Sequence, residues 1–407
     1  MSVPFFRPSI TEAEIAEVVA TLRSGWLTTG PRTRQFEQDF ARTVGARHAV
    51  AVNSCTAALH LALEAVGLRR GELVLVPTMT FGATAEVVRY FDAIPVLVDC
   101  EPDTLCIDVG RARATLEELA AGRATAGLAP PYGKVRAIIP MHYGGQVADV
   151  AAVRQLATEY DLSVIDDAAH TLPAYYRDPA APDGWQMVGR SADIACFSFY
   201  ANKCITTGEG GMAVTDSDQH AARMRVMSLH GMSKDAWKRF TAEGSWYYEL
   251  VAPGFKYNLT DIASAIGLVQ LGRAEALWQE RRALAAAYHA ALGELPGLTL
   301  PVERPDRRHS WHLYAIRIDP AVWGERAGFI QALKEHGIGA SVHWMPLHLH
   351  PYYRDTYGYQ PGLFPVAEAA WPGLVSLPLF PGMTRAELAE VVAAFRAILT
   401  KPVAQTP

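Results

Sequence analysis

The chain has 407 residues, half of them apolar and 19% charged, so it is too long for one ordinary core and too rich in core-forming residues to be disordered. Its formal net charge of −5 argues against a general nucleic-acid binder, because no surplus of Lys and Arg exists to displace counterions. No apolar run reaches the length of a membrane span, and MSVPFFRPSITEAEIAEVV lacks the basic start, apolar centre and cleavage site of a secretory signal. The five cysteines, Cys55, Cys100, Cys106, Cys196 and Cys204, form no C-x-x-C pair, so free thiols in a cytoplasmic setting are expected.

From about residue 48 to 216, short β-rich runs alternate with helical patterns. HAVAVN leads into CTAALHLALEAVG, LVLVP into GATAEVVRYF, and IPVLVDC through a turn into ARATLEELAAG. VRAIIPM precedes a helix near AAVRQLATEY, LSVIDDA ends in a polar turn, and IACFSFY and GGMAVTD flank a Gly-rich connection. Repeated units of this kind predict an α/β domain whose mainly parallel sheet is covered on both faces. Ligands of such sheets collect at the carboxyl ends of the strands. A helical stretch from Leu259 to about Leu295 breaks at Pro296-Gly297. Beyond it SWHLYAIRI and GASVHWMP read as strands, and residues 326–336 and those after Thr384 as helices. The expected division is a large domain over 1–275 and a smaller α+β domain over 276–407. Two Pro- and Gly-bearing insertions, near Gly122–Gly133 and Asp178–Gly189, either cover a site or are plain surface.

Four strand ends carry chemistry. In FSFYANKCITTGEGGMAV, Lys203 follows an apolar strand and precedes a Gly-rich turn. An amine held among apolar groups loses hydration of its charged form, its pKa falls, and it becomes a nucleophile able to form a Schiff base with an aldehyde. The same pattern also describes a solvated lysine at a strand end. In VIDDAAH, Asp166 and Asp167 end a strand and suit a helix cap, a metal ligand or a partner for a protonated ring nitrogen. In NSCTAALHLAL, Ser54 and Thr56 sit where a strand gives way to a helix, either as a simple cap or as a phosphate site. Phe81 in PTMTFGAT offers a flat face after a strand, for a core or for a cofactor ring.

Taken with SGWLTTGP, AIIPMHYGG, DDAAH, KYNLTDI, HLYAIRI and GIGASVHWMPLH, these segments resemble the DegT/StrS group of nucleotide-sugar aminotransferases over nearly the whole chain. The resemblance implies the aspartate-aminotransferase fold and pyridoxal phosphate as cofactor. It implies that Lys203 carries the cofactor and shuttles the proton, that Asp167 pairs with the pyridine nitrogen, and that His170 meets the phenolic oxygen in a position often held by Gln. Phe81 would stack on the ring, while the backbone of Cys55 and Thr56, with Ser198, would hold the phosphate. Asn258 would be lent to that phosphate by a second subunit, making a homodimer with shared sites, and His343 would lie near the substrate. SGWLTTGP, KYNLTDI and SLPLFPGMT are most similar to the subgroup that aminates a UDP-linked 4-ketopentose to give the 4-amino-4-deoxy-L-arabinose nucleotide. Cys55 departs from the usual Gly or Ala, which a backbone contact tolerates.

The expected reaction takes an amino group from L-glutamate and delivers it to a keto-sugar nucleotide by ping-pong kinetics. Three rivals remain at this stage. Sugar dehydratases of the same group carry His in place of the lysine. A metal hydrolase using His343, His348 and His350 would lack the helical H-E-x-x-H spacing, so no metal site is expected. A non-catalytic binder on the same fold would have no need for both Lys203 and Asp167.

Overall fold

The computed structural model describes residues 2–125, 128–232 and 248–400. Five apolar runs become strands β1 (His48–Val52), β2 (Leu73–Pro77), β3 (Ile94–Val98), β4 (Val135–Ile138) and β5 (Ser163–Asp167). A short hairpin follows, β6 (Tyr175–Arg177) with β7 (Trp185–Met187), and then β8 (Ile194–Ser198) and β9 (Gly211–Thr215). Seven of these form one sheet in the order β1-β9-β8-β5-β4-β2-β3. Strand β9 is antiparallel to both neighbours, and the remaining pairings are parallel. The sheet is therefore mixed and mainly parallel, as expected.

The helices are α1 (Glu12–Ser24), α2 (Pro31–Val44), α3 (Cys55–Ala65), α4 (Gly82–Arg89), α5 (Val109–Ala120), α6 (Val150–Tyr160), α7 (Asp218–Met227) and α8 (Asp261–Leu292). Alternate residues of one strand enter different cores, the signature of a sheet covered on both faces. Val74 and Val76 of β2 pack with Leu59, Leu63 and Val87 of α3 and α4, while Leu73 and Leu75 pack with Leu116 and Leu156 of α5 and α6. The β1–β9–β8 side is closed by Phe36 and Phe40 of α2 and by Leu271 and Leu277 of α8.

Asp261, at the start of α8, also holds the start of α2. Its buried carboxylate accepts from the backbone N–H of Gly30 (2.7 Å), Arg32 (3.1 Å) and Thr33 (3.0 Å) and from the Thr33 hydroxyl (2.8 Å). These are the donors a helix amino terminus leaves unpaired, and a negative charge complements its dipole.

Helix α8 runs unbroken through residues 275 and 276 into a second core. There β10 (Leu298–Thr299), β12 (Tyr314–Ile318) and β13 (Leu374–Leu377) form an antiparallel sheet, and β11 (Arg307–Arg308) joins the β6–β7 hairpin. Tyr288, Tyr314, Phe329 and Phe395 fill this core together with Val3 of the amino terminus. The chain returns once more: Tyr353, Tyr357, Phe364 and Ala367 pack on the large sheet's core beside α3 and α4.

Two expectations are revised. GASVHWMP is not a strand; it makes one bridge, Ser341 to Ser376, and then leaves the ladder. Its alternating apolar residues instead place His343 and Trp344 among the rings of the site described below. The stretch Asp178–Gly189 contains β7 and is half of a hairpin, whereas the other insertion, part of which lies outside the described residues, has no strand or helix among those described.

Replacing Asp261 with Ala leaves three backbone donors without their charged acceptor and is expected to cost about 3 kcal/mol of stability. Denaturation midpoints of the variant and of Asp261→Asn, which should lose less, check this.

Candidate active site

The parallel pairing puts the carboxyl ends of β1, β2, β5 and β8 on one edge of the sheet, and the candidate residues gather there. Asp167 is the last residue of β5, opposite Cys196 of β8, and is 4% exposed. Its Oδ2 accepts from the Thr84 hydroxyl at 2.7 Å and its Oδ1 from the Ala169 N–H at 3.2 Å. Thr84 stands on α4 and shares a 2.6 Å hydrogen bond with Thr80. Burial pushes the Asp167 carboxyl up, while those hydrogen bonds and the nearby Lys203 and His142 charges oppose the rise.

Lys203 lies between β8 and β9 in a loop closed on itself. Its N–H donates to the Tyr200 carbonyl at 2.9 Å, Thr207 N–H to that of Phe199 at 2.9 Å, and the Thr206 hydroxyl to the same oxygen at 3.0 Å. From outside, Gln270 of α8 accepts the Thr206 N–H at 3.3 Å. Burial lowers the Lys203 pKa, and the Asp167 carboxylate and the Cys55 and Cys204 thiols partly restore it. The amine is thus drawn toward its neutral, nucleophilic form, as the apolar context of FSFYANK predicts.

His170 is 2% exposed, and its Nδ1 accepts the Gly144 N–H at 3.1 Å. An imidazole that accepts at Nδ1 and is held neutral carries its proton on Nε2. Burial holds it neutral, keeping its pKa well below the ordinary histidine range, with Lys203 and three neighbouring histidines adding to the effect. The turn that presents Gly144 leaves no room for a side chain at the next residue. Gly145 has φ +108°, and a Cβ there would lie 1.9 Å from the Ser310 Oγ.

The start of α3 lies on the same edge. Ser54 caps it through Ala57 N–H (3.1 Å), and its carbonyl accepts from Ala58, while the Cys55 and Thr56 amides have no acceptor among the described residues. Gly211 brings Ser198 close to it: Gly211 pairs with Val52 of β1 and Ser198 of β8, and a Cβ would meet Ser54 C at 2.4 Å and Cys55 N at 2.6 Å. Phe81, at the start of α4, is 58% exposed, with its ring 6.1 Å from that of Trp344.

Two candidates are placed differently. His343 comes from the second core; its Nδ1 bonds the Ser376 hydroxyl at 2.8 Å and its ring stacks on Phe5 at 5.5 Å. Burial and the Lys203 charge lower its pKa to about 4. Asn258 donates to the Thr29 hydroxyl at 2.7 Å and accepts from Lys256, and no described bond joins it to Asp167 or Lys203. His348 and His350 bond Thr78 (2.7 Å) and the Met345 carbonyl (3.2 Å), and no trio of metal-binding side chains occurs among the described residues.

Sequence reasoning passed over Trp344, Thr84 and His312. Trp344 stacks on His170 at 5.1 Å and 28°, and His312 approaches it from elsewhere at 4.2 Å. Thr84 and Trp344 lie inside the quoted segments PTMTFGAT and GIGASVHWMPLH, but only the fold shows which partners they meet. His312 is the first residue of the quoted segment HLYAIRI and carries no spacing signal of its own.

These residues fit a planar, phosphorylated aldehyde with a basic ring nitrogen. Asp167 is a buried acid with hydrogen bonds but no bonded cation, two helix amides await an acceptor, and a neutral N–H on His170 is free to donate. Fold and site together define a pyridoxal-phosphate enzyme of the aspartate-aminotransferase fold.

Residues 8–396 match the DegT/DnrJ/EryC1/StrS aminotransferase family, and the chain belongs to that family of pyridoxal-phosphate-dependent sugar aminotransferases. It is 42% identical to the spore coat polysaccharide biosynthesis protein SpsC of Bacillus subtilis, over 98% of this chain and 97% of that one. Spr1654 of Streptococcus pneumoniae, solved in its pyridoxal and pyridoxamine forms, superposes with a TM-score of 0.85 at 32% identity, covering 98% of both chains in the pyridoxal form. DesV of S. venezuelae, solved with a ketimine intermediate, gives 0.85 at 30% identity over 98% of this chain and 99% of its own. Among the described residues no helix is long and apolar enough to cross a membrane.

Removing the Thr84 hydroxyl with Thr84→Val deprives Asp167 of a charge-assisted hydrogen bond, worth about 1.5–3 kcal/mol, and should weaken cofactor retention roughly tenfold or more. Equilibrium dialysis against pyridoxal phosphate measures this. Acid should destabilise the fold in a defined window. The folded pKa values of His343 and His60 are both about 4, while the unfolded chain takes up those protons near the ordinary histidine value of 6.5. Stability is then intact above that value and falls as the pH drops toward about 4. Denaturation midpoints between these limits, compared with a His60→Leu variant that should show a shallower decline, check the sign.

Proposed function

We propose that this chain moves the amino group of L-glutamate onto C4 of a keto-sugar nucleotide, with Lys203 as its acid–base catalyst. The observation that carries this reading is that buried Asp167 ends β5 beside β8, whose following loop holds Lys203 near enough for each charge to act on the other. When bound, pyridoxal phosphate supplies an electron sink for the carbon that loses its proton. The chain's part is to hold that sink electron-poor and to handle the proton.

Asp167, buried beside Thr84, is poised to keep a pyridine nitrogen protonated, and the added cation would in turn favour its ionised form. The Nε2–H of His170 would donate to the phenolic oxygen, Phe81 would cover the ring, and the Cys55 and Thr56 amides with the Ser198 hydroxyl would take the phosphate. Lys203 would hold the cofactor and, as a neutral amine, would take up and return the proton of the donor's Cα, a role its lowered pKa suits. His343 borders the sugar. Asn258, tied to Lys256 and Thr29 in its own chain, serves the phosphate site of a second copy in a homodimer. The division into a 1–275 lobe and a 276–407 lobe and a cytoplasmic setting belong to the same reading. The likeness of SGWLTTGP, KYNLTDI and SLPLFPGMT to the 4-amino-4-deoxy-L-arabinose-forming subgroup supports position 4 and makes a UDP-linked 4-ketopentose the first acceptor to test.

Lys203→Ala should abolish turnover while leaving the protein folded and able to bind cofactor. A panel of 3-keto and 4-keto sugar nucleotides with glutamate, followed by mass spectrometry, should show an aminated product only with the 4-keto acceptors and only with Lys203 present. Full turnover by Lys203→Ala would end this account.

A further inference from the structure

The insertion at 178–189 forms one wall of a groove that no role assigned above uses. The groove holds about 520 Å³, within the range of small-molecule sites. It lies on the opposite edge of the sheet from the candidate active site. Asp193, just before β8, and Thr215, at the end of β9, line it, whereas Asp167 ends β5 and Lys203 follows the far end of β8. The two places are a strand length apart, roughly 15 Å. Arg154 of α6, Arg190 and His220 of α7 complete the polar lining, with Asp178 from the insertion. Much of that lining is not satisfied within the chain. Among the described residues the Arg154 guanidinium has no hydrogen bond or ion pair. Asp178 and Asp193 each accept one backbone N–H, from Ala180 and Val164 at 2.9 Å, and neither forms an ion pair among those residues. His220 keeps an unpaired, buried ring nitrogen. Only Asp216 and Arg190 neutralise each other, at 3.0 Å.

Three features of the lining define what it can hold. Its apolar part is three alanines and Pro182, with no Leu, Ile, Val, Met, Phe, Tyr or Trp, so an apolar ligand or a stacked nucleobase gains little there. Its charges nearly balance, two arginines against three aspartates, so a diphosphate or other polyanion meets as much repulsion as attraction. What the chain leaves unpaired is a guanidinium that can only donate and two carboxylates that only accept. A ligand that serves both needs several groups that donate and accept, with no net charge of its own. Sugar hydroxyls are that chemistry, and their bonds to charged side chains are the stronger kind. We propose that this groove is a second binding site, separate from the catalytic edge, and that it takes a neutral mono- or disaccharide through Arg154, Asp178 and Asp193. None of these residues takes part in the reaction proposed above.

The test uses the cofactor-loaded protein and saturation-transfer NMR with glucose, galactose, N-acetylglucosamine and maltose, set against glucuronate, glycine and inorganic phosphate. At least one neutral sugar should bind saturably in the millimolar range. Arg154→Ala and Asp193→Asn, both at exposed residues, should keep the parent's denaturation midpoint and cofactor content. Each should weaken that sugar's binding about tenfold or more, through loss of a charge-assisted hydrogen bond. Phe81→Ala, on the catalytic edge, should bind it as the parent does. No saturable binding of any of these sugars at tens of millimolar overturns the proposal, and so does sugar binding that both groove variants retain. Tighter binding of glucuronate, glycine or phosphate than of every sugar, lost in the same two variants, overturns the ligand class and shows that the groove serves a charged molecule instead.

Discussion

A buried acid lies near a half-buried lysine, and neither is comfortable there alone. Burial raises the carboxyl of Asp167 toward its protonated form and lowers Lys203 toward the neutral amine, and each partly restores the charge of the other. In the proposed reaction desolvation would make the amine reactive, and the neighbouring acid would be the counterpart that a protonated ring nitrogen needs. The rest of the site can be understood as holding this pair in register: Thr84 fixes the acid, the closed 199–208 loop fixes the lysine, and the Gly144–His170 bond fixes the tautomer of the ring beside them.

Helix α8 is the beam on which these parts hang. At its start Asp261 anchors α2, and nine residues on Gln270 links the lysine loop through Thr206 to Glu14 of α1, at 3.3 and 2.7 Å. A further three turns along, Arg281 gathers three carbonyls from the second core. A single helix therefore couples the amino-terminal segment, the catalytic loop and the small sheet, so that their relative positions are set by backbone geometry rather than by surface contacts.

The sheet was legible because strands covered on both faces read as continuous apolar runs with little ambiguity of period. The Ser54–Thr56 turn, Phe81, Asp167 and Lys203 follow successive strand ends at the edge where parallel pairing collects ligands, so their order along the chain already suggested a site. Trp344 was not legible as a site residue because GASVHWMP carries a strand-like alternation; what ends the ladder after Ser341 is the tertiary packing of His343 on Phe5 and Trp344 on His170, which no local pattern records. Thr84 and Gln270 were hidden for a similar reason, since a polar residue on an otherwise apolar helix declares its role only when its distant partner is in view. The role proposed for Asn258 would need a second copy of the chain; within its own chain it bonds Thr29 and Lys256.

The most direct measurement is to reduce the cofactor-loaded protein with borohydride, digest it, and locate the added mass by peptide sequencing in the mass spectrometer. The account predicts a single modified residue, Lys203, and predicts that Asp167→Ala greatly reduces the yield by releasing the cofactor. Label on another lysine, or full labelling at Lys203 without Asp167, would contradict the claim that these two side chains together make the site.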